Sequence, residues 1–206
     1  SPAAAVTADV DADGRVELYT SASDGRIESW SAGTVRALAR VPVTAAPRLA
    51  VADADGDGRP ELVVGAADGW RLVDPGDGRE LGRVAGGGDE AWTLVPLDPE
   101  RGPSLVAWAP GGAPRVFDPG PGRWPFLTAT LTGREETAES VRSNASGLGA
   151  RAAFRVGGRW TVEWLLRADS GPGQSLAPLA VGLGGAARAD FVAVDWPDGV
   201  FQSELD

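Results

Sequence analysis

Two acidic runs of one spacing constrain this chain more than any other feature. Residues 9–17 read DVDADGRVE and residues 53–61 read DADGDGRPE, so both spell D-x-D-x-D-G-x-x-E, 44 residues apart. The likeness runs on past the acids. VELYTSASDGRIESW, from Val16, aligns with PELVVGAADGWRLVD, from Pro60, and Asp24-Gly25 and Asp68-Gly69 keep the same offset. A third, eroded copy spans Ala91 to Asp118; it retains only Asp98 and Glu100 in the loop, and no metal is expected there. A fixed period of this length marks a repeat architecture, in which one supersecondary unit recurs and buries its faces against its neighbours.

Each unit reads as short strands between turns. In the second, Arg48 to Ala52 alternates toward the acidic loop, and Leu62 to Ala66 is a β-rich run. Asp68-Gly69 is a tight turn, Trp70 to Val73 the next strand, and Arg79 to Ala85 a fourth. Four strands in 44 residues is the size of a propeller blade. The pattern changes near Arg123. From there Phe126–Thr132, Gly149–Val156, Arg159–Ala168, Leu179–Leu183, Phe191–Trp196 and Val200–Ser203 read as strands. Gly157-Gly158 and Pro197-Asp198-Gly199 read as turns. The expected fold is all-β: a partial β-propeller of three blade-like repeats over residues 1–122 (about 1–40, 41–84 and 85–122), then a small β-sandwich or barrel over 123–206.

Alternate Asp residues in a turning loop aim carboxylates at a common centre, and the Gly lets the chain bend after the third. Calcium accepts six to eight hard oxygen ligands in loose geometry; magnesium demands a near-ideal octahedron and keeps its waters. The candidate ligands are Asp9, Asp11, Asp13 and Glu17 with the Arg15 carbonyl, and Asp53, Asp55, Asp57 and Glu61 with the Arg59 carbonyl. Two unit charges 4 Å apart repel by about 4 kcal/mol at an effective dielectric of about 20, so each loop gains from a cation. An EF-hand or dockerin loop wants an acid at its twelfth position, where this chain has Thr20 and Val64. The bland alternative is a pair of solvated acidic turns, which two complete copies at one offset disfavour.

What the chain lacks also narrows its function. With no Cys, His or Lys among 206 residues, there is no thiolate nucleophile, no Ser-His-Asp triad, no Schiff-base lysine and no Cys/His zinc site. The expectation is therefore no enzyme. A net charge of −10 repels phosphate backbones and disfavours nucleic acid. No apolar run approaches the roughly 20 residues of a membrane span. The absence of Met suggests a processed or excised piece. Asp89-Glu90 and Glu135-Glu136 are acid pairs that read as solvated surface. Asn144-Ala145-Ser146 is a sequon better read as a polar turn. Trp30, Trp70 and Trp108 recur in comparable parts of the repeats and read as packing before sugar stacking.

With loop, strand and turn recurring together, residues 1–122 resemble FG-GAP/VCBS repeats, the calcium-containing blades of integrin-α-like propellers. The order of motifs after Arg123 resembles the ASPIC/UnbV domain. Its pieces are Ser143-Asn144, Gly147-Leu148-Gly149-Ala150-Arg151, Gly157-Gly158-Arg159-Trp160, Gln174-Ser175-Leu176, Val181-Gly182-Leu183-Gly184 and Trp196-Pro197-Asp198-Gly199. That domain follows FG-GAP repeats in the cartilage acidic protein family and its bacterial relatives. The resemblance implies a secreted, periplasmic or cell-surface protein and transfers no catalytic residue. The leading expectation is a calcium-binding module with two Ca2+ sites that meets protein partners or further propeller blades, as a structural subunit of a larger assembly. The alternatives are a calcium-dependent, lectin-like glycan binder and an enzyme or accessory domain in a UnbV-type biosynthetic pathway.

Overall fold

A computed structural model describes residues 2–43, 47–86, 91–109, 111–118, 120–133, 146–166 and 178–205. Each of the first two repeat units folds as an antiparallel meander. The first is β1 (Pro2–Ala8), β2 (Glu17–Ala22), β3 (Arg26–Ser31) and β4 (Thr34–Arg40). The second is β5 (Leu49–Ala52), β6 (Glu61–Ala66), β7 (Gly69–Val73) and β8 (Glu80–Ala85). The third copy makes three strands, β9 (Ala91–Asp98), β10 (Gly102–Trp108) and β11 (Arg115–Phe117). Burial grades across a meander. β6 is buried along its whole length, whereas the outer strand β8 is almost wholly exposed and carries Glu80 and Arg83, a charged edge that discourages pairing with a stranger.

Strand alternation explains how the repeats stack. Leu49, Leu62, Val64 and Val73 of the second sheet pack with Val6, Tyr19 and Ile27 of the first. The opposite face, through Ala50, Val63 and Trp70, packs with Trp92, Leu105 and Ala107 of the third. A sheet covered on both faces needs apolar residues at every position rather than every second one, and β6 reads Leu62-Val63-Val64 accordingly.

The C-terminal residues form two further sheets. β12 (Phe126–Ala129) pairs with β15 (Leu179–Gly182), and a four-stranded sheet has the order β14 (Arg159–Trp164), β13 (Arg151–Val156), β16 (Phe191–Asp195), β17 (Phe201–Leu205). They share a core of Ala150, Ala152, Phe154, Val181 and Val194, flanked by Leu127 and Leu179. The turn at Pro197-Asp198-Gly199 forms as its residues require: Gly199 sits at φ 85° and Val200 N–H donates to Asp198 Oδ1 at 3.1 Å.

The all-β expectation holds, but the expected architecture does not. Among the described residues there are five separate antiparallel sheets, of four, four, three, two and four strands, and none closes into a propeller or a barrel. Closing a sheet into a barrel needs its last strand to pair with its first, and a propeller needs a ring of blades. Here the first and last strands of each sheet bond on one side only. The partial propeller and the sandwich or barrel are therefore replaced by open sheets stacked through their side chains. The strand pattern of a unit is local, whereas closure depends on contacts between units, which the repeat does not encode.

Candidate metal centre

Each acidic run is the loop of a hairpin. The first joins β1 to β2 and closes on the pair Ala8↔Glu17; the second joins β5 to β6 and closes on Ala52↔Glu61. The pairing places the motif's Glu at the mouth of the loop, next to its first Asp.

Inside, the two loops repeat one hydrogen-bond scheme. Asp9 Oδ2 accepts from Gly14 N–H at 3.0 Å and Asp53 Oδ2 from Gly58 N–H at 2.8 Å. Asp11 accepts from Asp13 N–H and Asp55 from Asp57 N–H, at 3.2 and 3.0 Å. Asp13 accepts from Arg15 N–H and Asp57 from Arg59 N–H, at 2.7 and 2.8 Å. Glu17 and Glu61 reach back to the N–H groups of Val10 and Ala54, at 3.1 and 2.7 Å. Short Asx turns of this kind follow from Asp bonding the backbone two residues on. In these loops the fourth residue adopts left-handed backbone, Gly56 at φ 83° in the second loop and Ala12 at φ 58° in the first, where a side chain bears some strain.

Each Asp has an oxygen tied to backbone, and Asp53 has both, Oδ1 from Gly56 N–H and Oδ2 from Gly58 and Gly182 N–H; the three Asp of each loop nonetheless converge. Carboxylate oxygens of Asp9, Asp11 and Asp13 lie within 4.8 Å of one another, as do those of Asp53, Asp55 and Asp57. Asp9 is 3% exposed, yet its Oδ1 has no hydrogen-bond partner among the described residues. An unpaired buried carboxylate oxygen is expensive, and a divalent cation is the partner this donor set suits. Three carboxylates, a fourth at the loop mouth and no nitrogen or sulfur ligand make an all-oxygen environment for a hard ion. Arg15 and Arg59 lie exposed, their N–H groups held by the preceding Asp.

The electrostatics carry the same message. Burial pushes the Glu61 carboxyl up to about 8, and the charges of Asp53, Asp55 and Asp57 add to it. Burial likewise lifts Asp53 to about 6, against the N–H bonds from Gly56 and Gly58. Asp9 and Glu17 are raised for the same reason. The field reaches residues outside both motifs: Glu163 on β14 is pushed up to about 8 by burial and by the charges of Asp53 and Asp9, and Arg123, lowered by burial, feels the opposing charges of Asp53, Asp55 and Glu61.

Strand β14 lies between the two loops. Arg159, Thr161 and Glu163 share one face by strand alternation, and Thr161 Oγ1 donates to Gly58 O at 2.7 Å. On the opposite face, Val162 joins Ala153 and Ala193 in a cluster that packs Ala12 of the first loop. The second loop is the more enclosed, with Asp53, Gly56 and Gly58 buried and Asp55 exposed, whereas Asp11, Asp13 and Gly14 of the first are all exposed. The strand is legible as the run from Arg159, but no local pattern shows that it meets a loop about 100 residues earlier or that Glu163 faces it.

The remaining expectations fall in several places. Trp70 is buried against Phe117, at 5.3 Å between rings. Trp30 and Trp108 are 41% and 38% exposed, so the three are not equivalent. Asp98 caps its turn by accepting from Glu100 N–H at 3.0 Å. Asp89-Glu90, Glu135-Glu136, Ser143-Asn144 with most of the sequon, and Gln174-Ser175-Leu176 lie outside the described residues. Among the described residues no helix is long and apolar enough to cross a membrane.

Comparison with known proteins places one part of the chain. A family model described as ASPIC and UnbV matches residues 140–206, so the C-terminal part is a UnbV/ASPIC domain. No curated protein matches the chain.

Proposed function

We propose that this chain is a calcium-binding protein-interaction module that works outside the cytoplasm as a structural part of a larger assembly. The observation that carries the calcium reading is the paired D-x-D-x-D-G-x-x-E loop with a buried, unpartnered Asp9 Oδ1 inside the first copy. Asp9, Asp11, Asp13 and Glu17 with the Arg15 carbonyl would hold one ion, and Asp53, Asp55, Asp57 and Glu61 with the Arg59 carbonyl the other. The ions' role is structural: each neutralises a cluster that otherwise repels itself. The FG-GAP-like repeat sequence supports an extracytoplasmic setting, where calcium is plentiful and modest affinity suffices.

Support for a protein partner comes from β17. It is the outer strand of its sheet, exposed throughout, with Phe201 and Leu205 61% and 79% exposed. A free edge with apolar side chains is suited to strand addition. A second reading, a calcium-dependent glycan binder, is favoured by Trp160. It is 43% exposed and shares a cleft with Asp9, Asp11, Arg59 and Arg159 beside the first loop.

Calorimetric titration with calcium tests the core of the proposal: two binding events are expected, with magnesium far weaker. At free calcium ten times the dissociation constant each site adds about 1.4 kcal/mol, so the melting temperature should fall with chelator and recover with calcium. No binding at millimolar calcium would remove the proposal. Glycan-array signal lost on chelation, and lost again in Trp160→Ala, would favour the second reading.

A further inference from the structure

The backbone of the second acidic loop is held almost residue by residue from the C-terminal sheets. Trp124 N–H donates to Asp55 O at 2.8 Å and Gly184 N–H to Gly56 O at 2.8 Å. The Arg159 guanidinium donates to Asp57 O, and to Gly182 O at 3.1 Å. Thr161 Oγ1 donates to Gly58 O at 2.7 Å, and Gly182 N–H to Asp53 Oδ2 at 3.0 Å. Four consecutive carbonyls, from Asp55 to Gly58, are thus engaged by donors outside the loop. The fit is close. A Cβ on Gly182 would lie 2.2 Å from Asp53 Oδ2, and one on Gly56 2.6 Å from Trp124 O. The first loop meets the C-terminal sheet differently, through the apolar contact of Ala12, and a Cβ on Gly14 would meet nothing within 4 Å.

A loop that binds a cation through alternate side chains must fix the intervening peptides, which costs about 1–2 kcal/mol of entropy per residue ordered. In the second loop the C-terminal sheets supply that order before any ion arrives. We infer that Arg159, Thr161 and Gly182 are positioning residues for the cation site of residues 53–61, so that docking of the C-terminal sheets and filling of that loop strengthen each other. The coupling is reciprocal by linkage: calcium in the second loop tightens the docking, and loss of the docking weakens calcium there. The first loop binds without this help. The inference rests on the calcium reading above, and its test separates the two.

Calcium is titrated into two versions of the full chain, one with Asp11→Ala, leaving the second loop to report, and one with Asp55→Ala, leaving the first. Adding Thr161→Val should weaken calcium binding about five- to tenfold in the Asp11→Ala protein, the worth of one buried hydrogen bond. It should change affinity less than about twofold in the Asp55→Ala protein. Thr161→Ser should restore the loss, since it keeps the hydroxyl. Hydrogen exchange on the Asp11→Ala protein gives a second readout that leaves the docking residues intact: calcium should slow the amides of Trp124, Gly182 and Gly184. Equal affinity with and without Thr161→Val, or unchanged exchange at those amides with calcium bound, overturns the inference and leaves the calcium reading standing. No calcium binding in either parent overturns the reading itself and the inference with it.

Discussion

Calcium binding to the second loop should release protons at neutral pH, and the number follows from the site. Glu61 has its carboxyl pushed up to about 8 and Asp53 to about 6. At pH 7 a group of pKa 8 is about nine-tenths protonated and one of pKa 6 about one-tenth. A calcium ligand must be deprotonated, so filling this loop should expel roughly one proton per ion, most of it from Glu61. Glu163, also near 8 and sensitive to the same loop, should add a further fraction as the cation offsets the charges around it. At pH 9 the Glu61 and Asp53 contribution should fall to roughly 0.1 proton. The assay is calorimetry of the Asp11→Ala protein in two buffers of different ionisation enthalpy, at pH 7 and again at pH 9. Observed heats should differ between buffers at pH 7 and nearly coincide at pH 9. Apparent affinity should rise roughly fifteen- to twentyfold from pH 6 to pH 7, most of it from Glu61 and about a factor of two from Asp53. Calcium binding at pH 7 with the same heat in both buffers would show that Glu61 enters the complex already ionised, and would refute the argument from its burial.

Stability should move with pH in the opposite sense once calcium is removed. Glu61, Glu163 and Asp53 are raised in the folded state. The fold therefore binds more protons than the unfolded chain, and stability present below about pH 4 is lost as pH climbs toward 8. Thermal melts in chelator should show that decline, and calcium should flatten it. Asp53→Ala should destabilise the protein even in chelator, because it orphans the N–H groups of Gly56, Gly58 and Gly182. At roughly 1 kcal/mol or more per orphaned donor, the melting temperature should drop by about 6–12 °C. Asp55→Ala, on an exposed side chain, should melt within about 2 °C of wild type in chelator and lose the calcium response of its loop. Gly182→Ala should release the C-terminal sheets, seen as faster exchange at Gly184 and Trp124. Gly14→Ala meets open space and should show only the penalty of a left-handed backbone, about 1 kcal/mol, by chemical denaturation.

Much of this protein can be read from its residues in order. The period-2 runs set the strands of each unit, the Asp-Gly and Pro-Asp-Gly turns set where the chain reverses, and the D-x-D-x-D-G-x-x-E spacing sets two loops with the same internal bonds. All of these are decided within a few residues by φ preferences, Asx bonding and side-chain alternation, so a linear pattern is enough. The repeat could not say how its units associate. It suggested blades of a partial propeller, whereas the structure has separate open sheets, none closed into a propeller or a barrel. It treated Trp30, Trp70 and Trp108 as equivalents, whereas only Trp70 lies in the twice-covered middle sheet. It treated the two acidic loops as copies, whereas β14 and β15 enclose one and leave the other open to solvent. Those differences arise from contacts such as Gly182 to Asp53 and Thr161 to Gly58, which join residues over 100 positions apart. A carboxylate's environment is made by whatever packs over it, and only the folded chain decides what that is.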